Sequence, residues 1–186
     1  QFLMSESWGR YLGQGALSTP ENTVHPLGRE WRFVVSASQQ DGLLVDTNSA
    51  IWTGQKDAQA YVVEVEYTLD AGTRDGAGVV VQWFNGSIWR SVTKSLDSTT
   101  SYAVSGGLKT ARAVFKRPEA FTGTQQAVRV LVMANVSTVT PMSAKTIRFH
   151  RISARTASAE ELGGGEVMAN IGAYLSQTYF TRAETN

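Results

Sequence analysis

The chain has 186 residues, of which 42% are hydrophobic and 18% charged, with a formal net charge of +1 and no cysteine. Near-neutral charge without a basic run argues against nucleic acid or an anionic membrane surface as partner. The absence of cysteine excludes disulfides and thiolate metal sites, and no apolar run approaches the roughly 18 residues of a membrane span. Length and composition are typical of one domain of ordinary size followed or preceded by a short additional segment.

Residues 1–28 are predicted to be an irregular segment that packs on, or leads into, the main domain. Glycine and proline interrupt the stretch too often for a long helix. Trp8 and Tyr11 are expected to pack onto the body. The main domain is predicted over 29–157, followed by a hinged linker and the start of a helical stalk over 158–186.

A period of two begins at Trp31, where Trp31, Phe33 and Val35 alternate with Arg32 and Val34. Strict alternation is typical of half-buried strands. Gln40-Asp41-Gly42 predicts a turn before a short strand over 43–45. Further strands are predicted at 61–69, 79–84, 87–93, 109–117, 127–135 and 145–155. Short strands separated by turn signals, without a long amphipathic helix, favour an all-β antiparallel sandwich.

Asn85-Gly86 lies between two apolar runs and predicts a two-residue hairpin turn. Counting outward from that turn opposes Trp83 to Ile88 and Gln82 to Trp89. A core face then holds Val79, Val81, Trp83, Ile88 and Val92, with Arg90 as the exception. The other face holds Val80, Gln82, Phe84, Ser87, Trp89 and Ser91. A one-residue slip in register would exchange the faces and make Trp83 the outward indole.

The second face combines aromatic rings with uncharged hydrogen-bonding groups, a mixture that suits sugars. A pyranose can lay its apolar face on an indole, while its hydroxyls need paired donors and acceptors. The candidate ligand-binding residues are Trp89, Gln82, Phe84, Glu64 and Arg112. Alternatively, Trp89 covers the sandwich under a loop or lies in a contact between subunits.

Glu64 and Glu66 share a strand face about 7 Å apart, within the roughly 5–10 Å that separates glycosidase carboxylates. They line up along one strand, however, instead of flanking a bond. We therefore interpret them as a solvated face paired with Arg112, Lys116 or Arg129. His25 and His150 are the only histidines, so neither a metal cluster nor a catalytic triad is expected. The sequence predicts no catalytic residue, no metal and no cofactor.

The C-terminal region has helix-start signals. Ser158-Ala159-Glu160-Glu161 is a capping box, cut short by the glycines at 163–165, which predict a hinge. Apolar residues then recur at 4-3-4 spacing in Val167, Ile171, Tyr174 and Thr178, as in a helix seam. A helix from another subunit could cover that seam. Alternatively, this segment forms a short helix that packs on its own sandwich. A second capping box at Thr181–Glu184 suggests an ordered piece of a longer protein.

Residues 179–186, Tyr-Phe-Thr-Arg-Ala-Glu-Thr-Asn, resemble a segment of bacteriophage tail fibres and tail-tip host-specificity proteins. In those proteins such a segment opens a trimeric coiled coil. The resemblance implies a homotrimer, other phage tail proteins as partners, and a place in the virion, in the phage tail.

The order of features from Trp31 to Arg155 resembles the jelly-roll, galactose-binding-like carbohydrate-binding modules of bacterial glycoside hydrolases. Gln55–Leu69 looks like their central strand, and Lys145–Arg155 like their last strand. Those modules often end in an aromatic-Ile-Asp-Asp-Val string associated with a structural calcium. Here the matching residues are Phe149-His150-Arg151-Ile152-Ser153, so calcium is not expected.

Together, these features favour a non-enzymatic, carbohydrate-binding-like jelly roll of a phage tail fibre or tail-tip protein that adsorbs to host surface glycans. Two alternatives remain open. One is a structural spacer of the tail that makes protein–protein contacts. The other is an accessory carbohydrate-binding module of a secreted bacterial enzyme.

Overall fold

The structure, a computed structural model, describes residues 8–11, 16–18, 30–47, 55–103, 107–136 and 141–163. The chain divides into two compact units, residues 1–156 and residues 157–186. Among the described residues, no helix has the length and apolar character needed to cross a membrane.

The first unit is an antiparallel β-sandwich, as the alternation predicts, and it has the jelly-roll fold that the resemblance to carbohydrate-binding modules implies. One sheet has five strands in the order β1-β4-β10-β6-β7, and the other has six in the order β2-β3-β11-β5-β9-β8. The strands are β1 (Gly9–Tyr11), β2 (Ala16–Ser18), β3 (Trp31–Val35), β4 (Asp41–Asp46), β5 (Ala60–Gly72), β6 (Gly78–Phe84), β7 (Trp89–Ser95), β8 (Thr100–Ala103), β9 (Lys109–Lys116), β10 (Ala127–Asn135) and β11 (Lys145–Thr156). A short helix, α1 (Leu96–Thr99), joins β7 to β8.

The core lies between the two sheets and is built from the residues that point inward along each strand. Its largest fully buried side chains include Trp83, Tyr61, Tyr67, Phe33 and Phe149. Phe33 and Phe149 meet edge to face with ring centroids 5.7 Å apart, the geometry that aromatic rings prefer. Trp8 is 2% exposed and belongs to this core, which confirms that it packs on the body.

Strands differ from the prediction mainly where they are short. Within residues 1–28, expected to be irregular, β1 pairs with β4 and β2 pairs with β3. The turn expected at Gln40-Asp41-Gly42 is wrong, because Asp41 and Gly42 begin β4. A Cβ on Gly42 would lie 2.5 Å from the Val132 carbonyl oxygen, so glycine is needed there for close approach of β10.

The described part of the second unit contains helix α2 (Ala159–Leu162). The Ser158 hydroxyl accepts from the Glu161 amide at 3.2 Å, and the Glu161 carboxylate accepts from the Ser158 amide at 3.1 Å. This confirms the predicted capping box, and Gly163 caps the end of the helix. The predicted seam from Val167, the second capping box and the trimeric stalk lie outside the described residues.

Candidate ligand-binding face

The β6–β7 hairpin turns one residue later than its sequence predicts. Phe84 pairs with Trp89, Trp83 with Arg90, and Gln82 with Ser91. The Asn85 amide donates to the Ile88 carbonyl at 3.3 Å, which leaves Gly86 and Ser87 in the bend. Gly86 has a φ of +97°, a conformation that glycine adopts readily. The Asn85 side chain stabilises the bend by accepting from the amides of residues 87 and 88, each at 2.9 Å.

This later turn moves every cross-strand pair by two residues, so the two predicted faces are kept. A shift of two preserves the side-chain alternation, whereas a shift of one would reverse it. Trp83 therefore lies in the core with Val81, while Gln82 and Trp89 lie on the outer face of the five-stranded sheet. Two details of the prediction are wrong: Ile88 is 48% exposed instead of buried, and Gln82 opposes Ser91 instead of Trp89.

Trp89 is half-buried and already touches two side chains of its own chain. Its ring stacks on Phe84 with centroids 4.7 Å apart and planes 24° apart. The Arg129 guanidinium carbon lies 4.1 Å from the Trp89 ring centroid. Contacts of both kinds fix the orientation of an aromatic side chain. Trp89 is thus an ordered, partly accessible indole rather than a freely projecting one.

A short hydrogen-bond chain crosses the same face. Arg129 on β10 donates through Nε to the Gln82 Oε1 on β6. Gln82 in turn donates through Nε2 to the Ser91 Oγ on β7, at 2.9 Å. Because Arg129 pairs in register with Gln82, and Gln82 with Ser91, the chain runs straight across three adjacent strands.

A cavity of about 160 Å³ lies on the outer face of the five-stranded sheet, next to these hydrogen bonds. Its volume is well above the roughly 10–15 Å³ that one water requires. Polar and apolar side chains mix in its lining: Tyr11, Gln40, Val80, Gln82, Ser91, Thr93, Leu131, Met133 and Val136. Gln82 belongs both to the cavity and to the hydrogen-bond chain. The arrangement can therefore present an apolar floor, hydroxyl and amide partners, and a cation to one ligand.

Glu64 and Arg112, the other two candidate residues, lie on the other sheet. They face each other on β5 and β9, with the Arg112 Nε 3.8 Å from the Glu64 Oε2. The structure therefore brings Trp89, Gln82 and Phe84 together but places Glu64 and Arg112 elsewhere. The expected pairing of Glu64 with Arg112 is present, whereas Arg129, another suggested partner, lies on the five-stranded sheet.

The six-stranded sheet also carries a buried charged group, at Glu30 and His150. Glu30 accepts from the Arg148 Nη1 at 2.8 Å, and its Oε2 lies 3.6 Å from the His150 Nδ1. The His150 Nε2 lies 2.7 Å from the Thr68 hydroxyl. Burial raises the pKa of Glu30, although the nearby Arg148 opposes that shift. His150 thus lies within the string that matches the aromatic-Ile-Asp-Asp-Val motif, and its two ring nitrogens lie near the Glu30 carboxylate and the Thr68 hydroxyl.

No group of three or more histidine or acidic residues that could hold a metal occurs among the described residues. Glu64 and Glu66 each have an arginine within 4 Å, since the Arg151 Nη1 lies 3.7 Å from the Glu66 Oε1. They form an ion-paired surface, the interpretation that their shared strand favours.

The sequence did not identify Arg129, Tyr11 or Leu131 as part of this face. One signal was present: Arg129 is the only charged residue of β10, a strand of nine residues in which Val128 and Val130 point inward. A lone arginine on the outward side of an apolar strand needs a partner. That its partners are Gln82 and Trp89 depends on β10 lying beside β6, an order that periodicity does not reveal.

No protein family matches the sequence, and no curated protein matches it. Solved structures do match the fold. The chain superposes on the xylanase 10B CBM22-1–GH10 modules of Clostridium thermocellum, complexed with xylohexaose, with TM-score 0.53, 13% identity and 84% of this chain covered. It spans 27% of that xylanase chain.

Two isolated modules are covered almost completely. The CBM22-2 xylan-binding domain of Paenibacillus barcinonensis Xyn10C matches with TM-score 0.51 and 16% identity, over 82% of this chain and 92% of that one. The family 30 carbohydrate-binding module of a Clostridium thermocellum cellulosomal cellulase matches with TM-score 0.54 and 10% identity, over 85% of this chain and 95% of that one. The protein therefore has the jelly-roll fold of carbohydrate-binding modules.

Proposed function

We propose that this protein is a non-catalytic carbohydrate-binding module whose ligand lies on the outer face of the five-stranded sheet. One observation carries the proposal: an ordered indole, Trp89, lies two residues along β7 from Ser91, which lines a cavity that combines apolar and hydrogen-bonding side chains. A sugar needs both, because its ring carbons favour an aromatic surface while unpaired buried hydroxyls cost about 1–3 kcal/mol each. The fold shared with xylan-binding and cellulase-associated modules supports the proposal.

The roles on this face follow from the contacts. Trp89, held by Phe84, offers a stacking surface. Gln82 and Ser91 offer an amide and a hydroxyl that already orient each other. Glu64 and Arg112 take no part, since they lie on the other sheet and pair with each other.

A glycan array followed by calorimetry tests the proposal. We expect the wild-type protein to bind a subset of the array, and Trp89→Ala to lose at least about tenfold in affinity, as expected when an aromatic hot spot is removed. The matched control is Ile88→Ala, which removes an exposed apolar side chain from the same hairpin but outside the face. Thermal unfolding of both variants checks that they fold. Silence across the whole array would overturn the proposal.

We further propose that the module acts at the tip or along the fibre of a phage tail, in adsorption to host surface glycans. The resemblance of residues 179–186 to a segment of phage tail fibres and tail-tip proteins supports a place in the phage tail. Three copies on one stalk would raise avidity through effective concentration. Sedimentation of a chain extended past Asn186 should give a trimer. A monomer would overturn the proposed trimeric stalk.

Two other functions would use the same fold. An accessory module of a secreted bacterial enzyme is favoured by the likeness to a module joined to a xylanase. A spacer module is favoured by the contacts that Trp89 already makes with Phe84 and Arg129, which need no sugar. A glycosidase domain in the same polypeptide would favour the enzyme module, whereas coiled-coil heptads following this domain would favour the phage tail. The array separates the spacer from both.

A further inference from the structure

Arg129 differs from most other described arginines in having no carboxylate partner. Arg10, Arg74, Arg112, Arg148 and Arg151 each form an ion pair. Arg129 pairs in register with Asp46 on one side and with Gln82 on the other, yet it turns to Gln82 and Trp89 and makes no ion pair with any described residue. Among the described residues, therefore, no carboxylate forms an ion pair with the Arg129 guanidinium, although Asp46 faces it across the strands.

The contacts of Arg129 leave the far end of its guanidinium open to a ligand. Of the five N–H donors in this group, the one on Nε is engaged by Gln82. The terminal nitrogens have no acceptor among the described residues. Two parallel N–H groups of an arginine match the two oxygens of a carboxylate. The contact with the Trp89 ring and the hydrogen bond to Gln82 hold the guanidinium in place, so less side-chain freedom is lost when a ligand binds.

Arg117 shows what a purely structural version of this arrangement looks like. Its guanidinium lies 4.9 Å from the Phe121 ring centroid, and its Nη1 donates to Gln125 at 2.9 Å. Gln125, however, donates onward to the backbone carbonyls of Lys56 and Ala58, each at 2.9 Å, and so ties two loops together. Gln82 instead donates to Ser91 at the lining of the cavity.

We propose that this face selects acidic glycans, with the carboxylate of a uronic acid residue on Arg129 and a neighbouring sugar ring in the adjacent cavity. The inference rests on the proposed carbohydrate-binding function and adds the class of ligand. A carboxylate would supply the ion-pair partner that Arg129 does not have among the described residues. Gln82 joins the two halves of the site, because it lines the cavity and accepts from Arg129.

The test compares acidic oligosaccharides with neutral copies of the same shape. Trimers of galacturonate, glucuronate, mannuronate and guluronate are titrated by calorimetry, each beside its methyl ester. At least one acid is expected to bind about tenfold or more tightly than its ester, because a charge-assisted bidentate pair is lost in the ester. The preference should weaken as salt rises from 20 mM to 500 mM.

Variants assign the preference to Arg129. Arg129→Gln should bind acid and ester alike, whereas the matched variant Arg117→Gln, which also removes a ring-stacked arginine, should keep the wild-type preference. Equal binding of acids and esters by the wild type, or neutral sugars as the only ligands on the array, would overturn the acidic preference while leaving carbohydrate binding intact. Failure of every acid, ester and array glycan to bind would overturn both proposals.

Discussion

The outer faces of the two sheets use charge in opposite ways. On the six-stranded sheet, Glu64 pairs with Arg112 and Glu66 with Arg151, each at 3.7 to 3.8 Å. On the five-stranded sheet, Arg129 lies among neutral contacts, Gln82 and Trp89. Opposite charges facing each other across strands stabilise a sheet. We infer from the comparison that charge paired within the chain is typical of a structural face, whereas an ordered cation beside a cavity, with no ion-pair partner among the described residues, is typical of the proposed binding face.

Arg148→Ala should have the largest effect on stability among the changes considered. The Glu30 side chain is 0% exposed and its Arg148 partner 31% exposed, so the variant leaves a carboxylate buried without its cation. Breaking a buried pair in this way costs about 3 kcal/mol. Because burial raises the pKa of Glu30, protonation at pH 5 should relieve part of the cost, and the loss should be larger at pH 8. Urea unfolding at both pH values measures it.

The control for Arg148→Ala is Arg151→Ala, on the same strand but paired with the more accessible Glu66. That variant should lose well under 1 kcal/mol. Neither variant should alter glycan binding on the opposite sheet. Equal stability losses in the two variants would mean that burial of Glu30 does not set the cost.

Lys145 is a buried cation of the six-stranded sheet, and its hydrogen-bond partners are neutral. Its Nζ donates to the Asn135 Oδ1 and to the Ser143 carbonyl. Burial lowers the pKa of Lys145 to about 8, with Asp75 opposing the shift. Between that value and the ordinary pKa near 10.4 the unfolded chain binds more protons than the native one, so stability should rise with pH.

Urea unfolding from pH 7.5 to 9.5 should therefore show a gain of about 2 kcal/mol in the wild type. Lys145→Met should show no such gain. The window ends at pH 9.5 because burial raises the pKa of Tyr61, and ionisation of that phenol in the unfolded chain near pH 10 lowers stability. A flat wild-type profile would mean that Lys145 keeps its ordinary pKa in the native state.

Most of the sandwich could be predicted because its strands alternate strongly. The exceptions are local patterns overruled by distant contacts. Asp41-Gly42 has turn chemistry, yet both residues lie in β4, where β10 approaches Gly42 too closely for a side chain and Asp41 is buried against Arg10. Neither Arg10 nor β10 can be placed beside Asp41 by reading the local sequence.

The candidate site likewise has residues that local sequence places correctly and residues whose position depends on distant contacts. Trp89, Gln82 and Phe84 belong to one hairpin, whose alternation survives a two-residue change of register. Arg129 reaches them only because β10 lies beside β6. Glu64 and Arg112 have a chemical type that suits a sugar site but lie on the other sheet, and nothing in the sequence says that β5 and β6, consecutive in the chain, belong to different sheets.

Gln82→Leu should reduce binding without unfolding the protein. The variant removes the acceptor that orients Arg129 and the donor to Ser91, at nearly constant volume. One such hydrogen bond contributes about 1 kcal/mol, so affinity for an acidic trimer should fall about fivefold. Calorimetry measures the change.

Gln126→Leu is the matched control, because Gln126 is exposed and its backbone amide, which donates to the Phe84 carbonyl, is unaffected. It should bind as the wild type does. Equal weakening in both variants would point to a general effect of apolar substitution near the hairpin and not to the orientation of Arg129.

The double change Glu64→Gln with Arg112→Ala should have the smallest effect. The two groups are 3.8 Å apart, and Arg112 is 44% exposed, so solvent screens their attraction and the pair contributes less than about 1 kcal/mol. Stability in urea should change by no more than about 0.5 kcal/mol, and glycan affinity should not change. A loss of binding in this variant would place a ligand contact on the six-stranded sheet. Ion pairing within the chain would then fail to distinguish a structural face from a binding one.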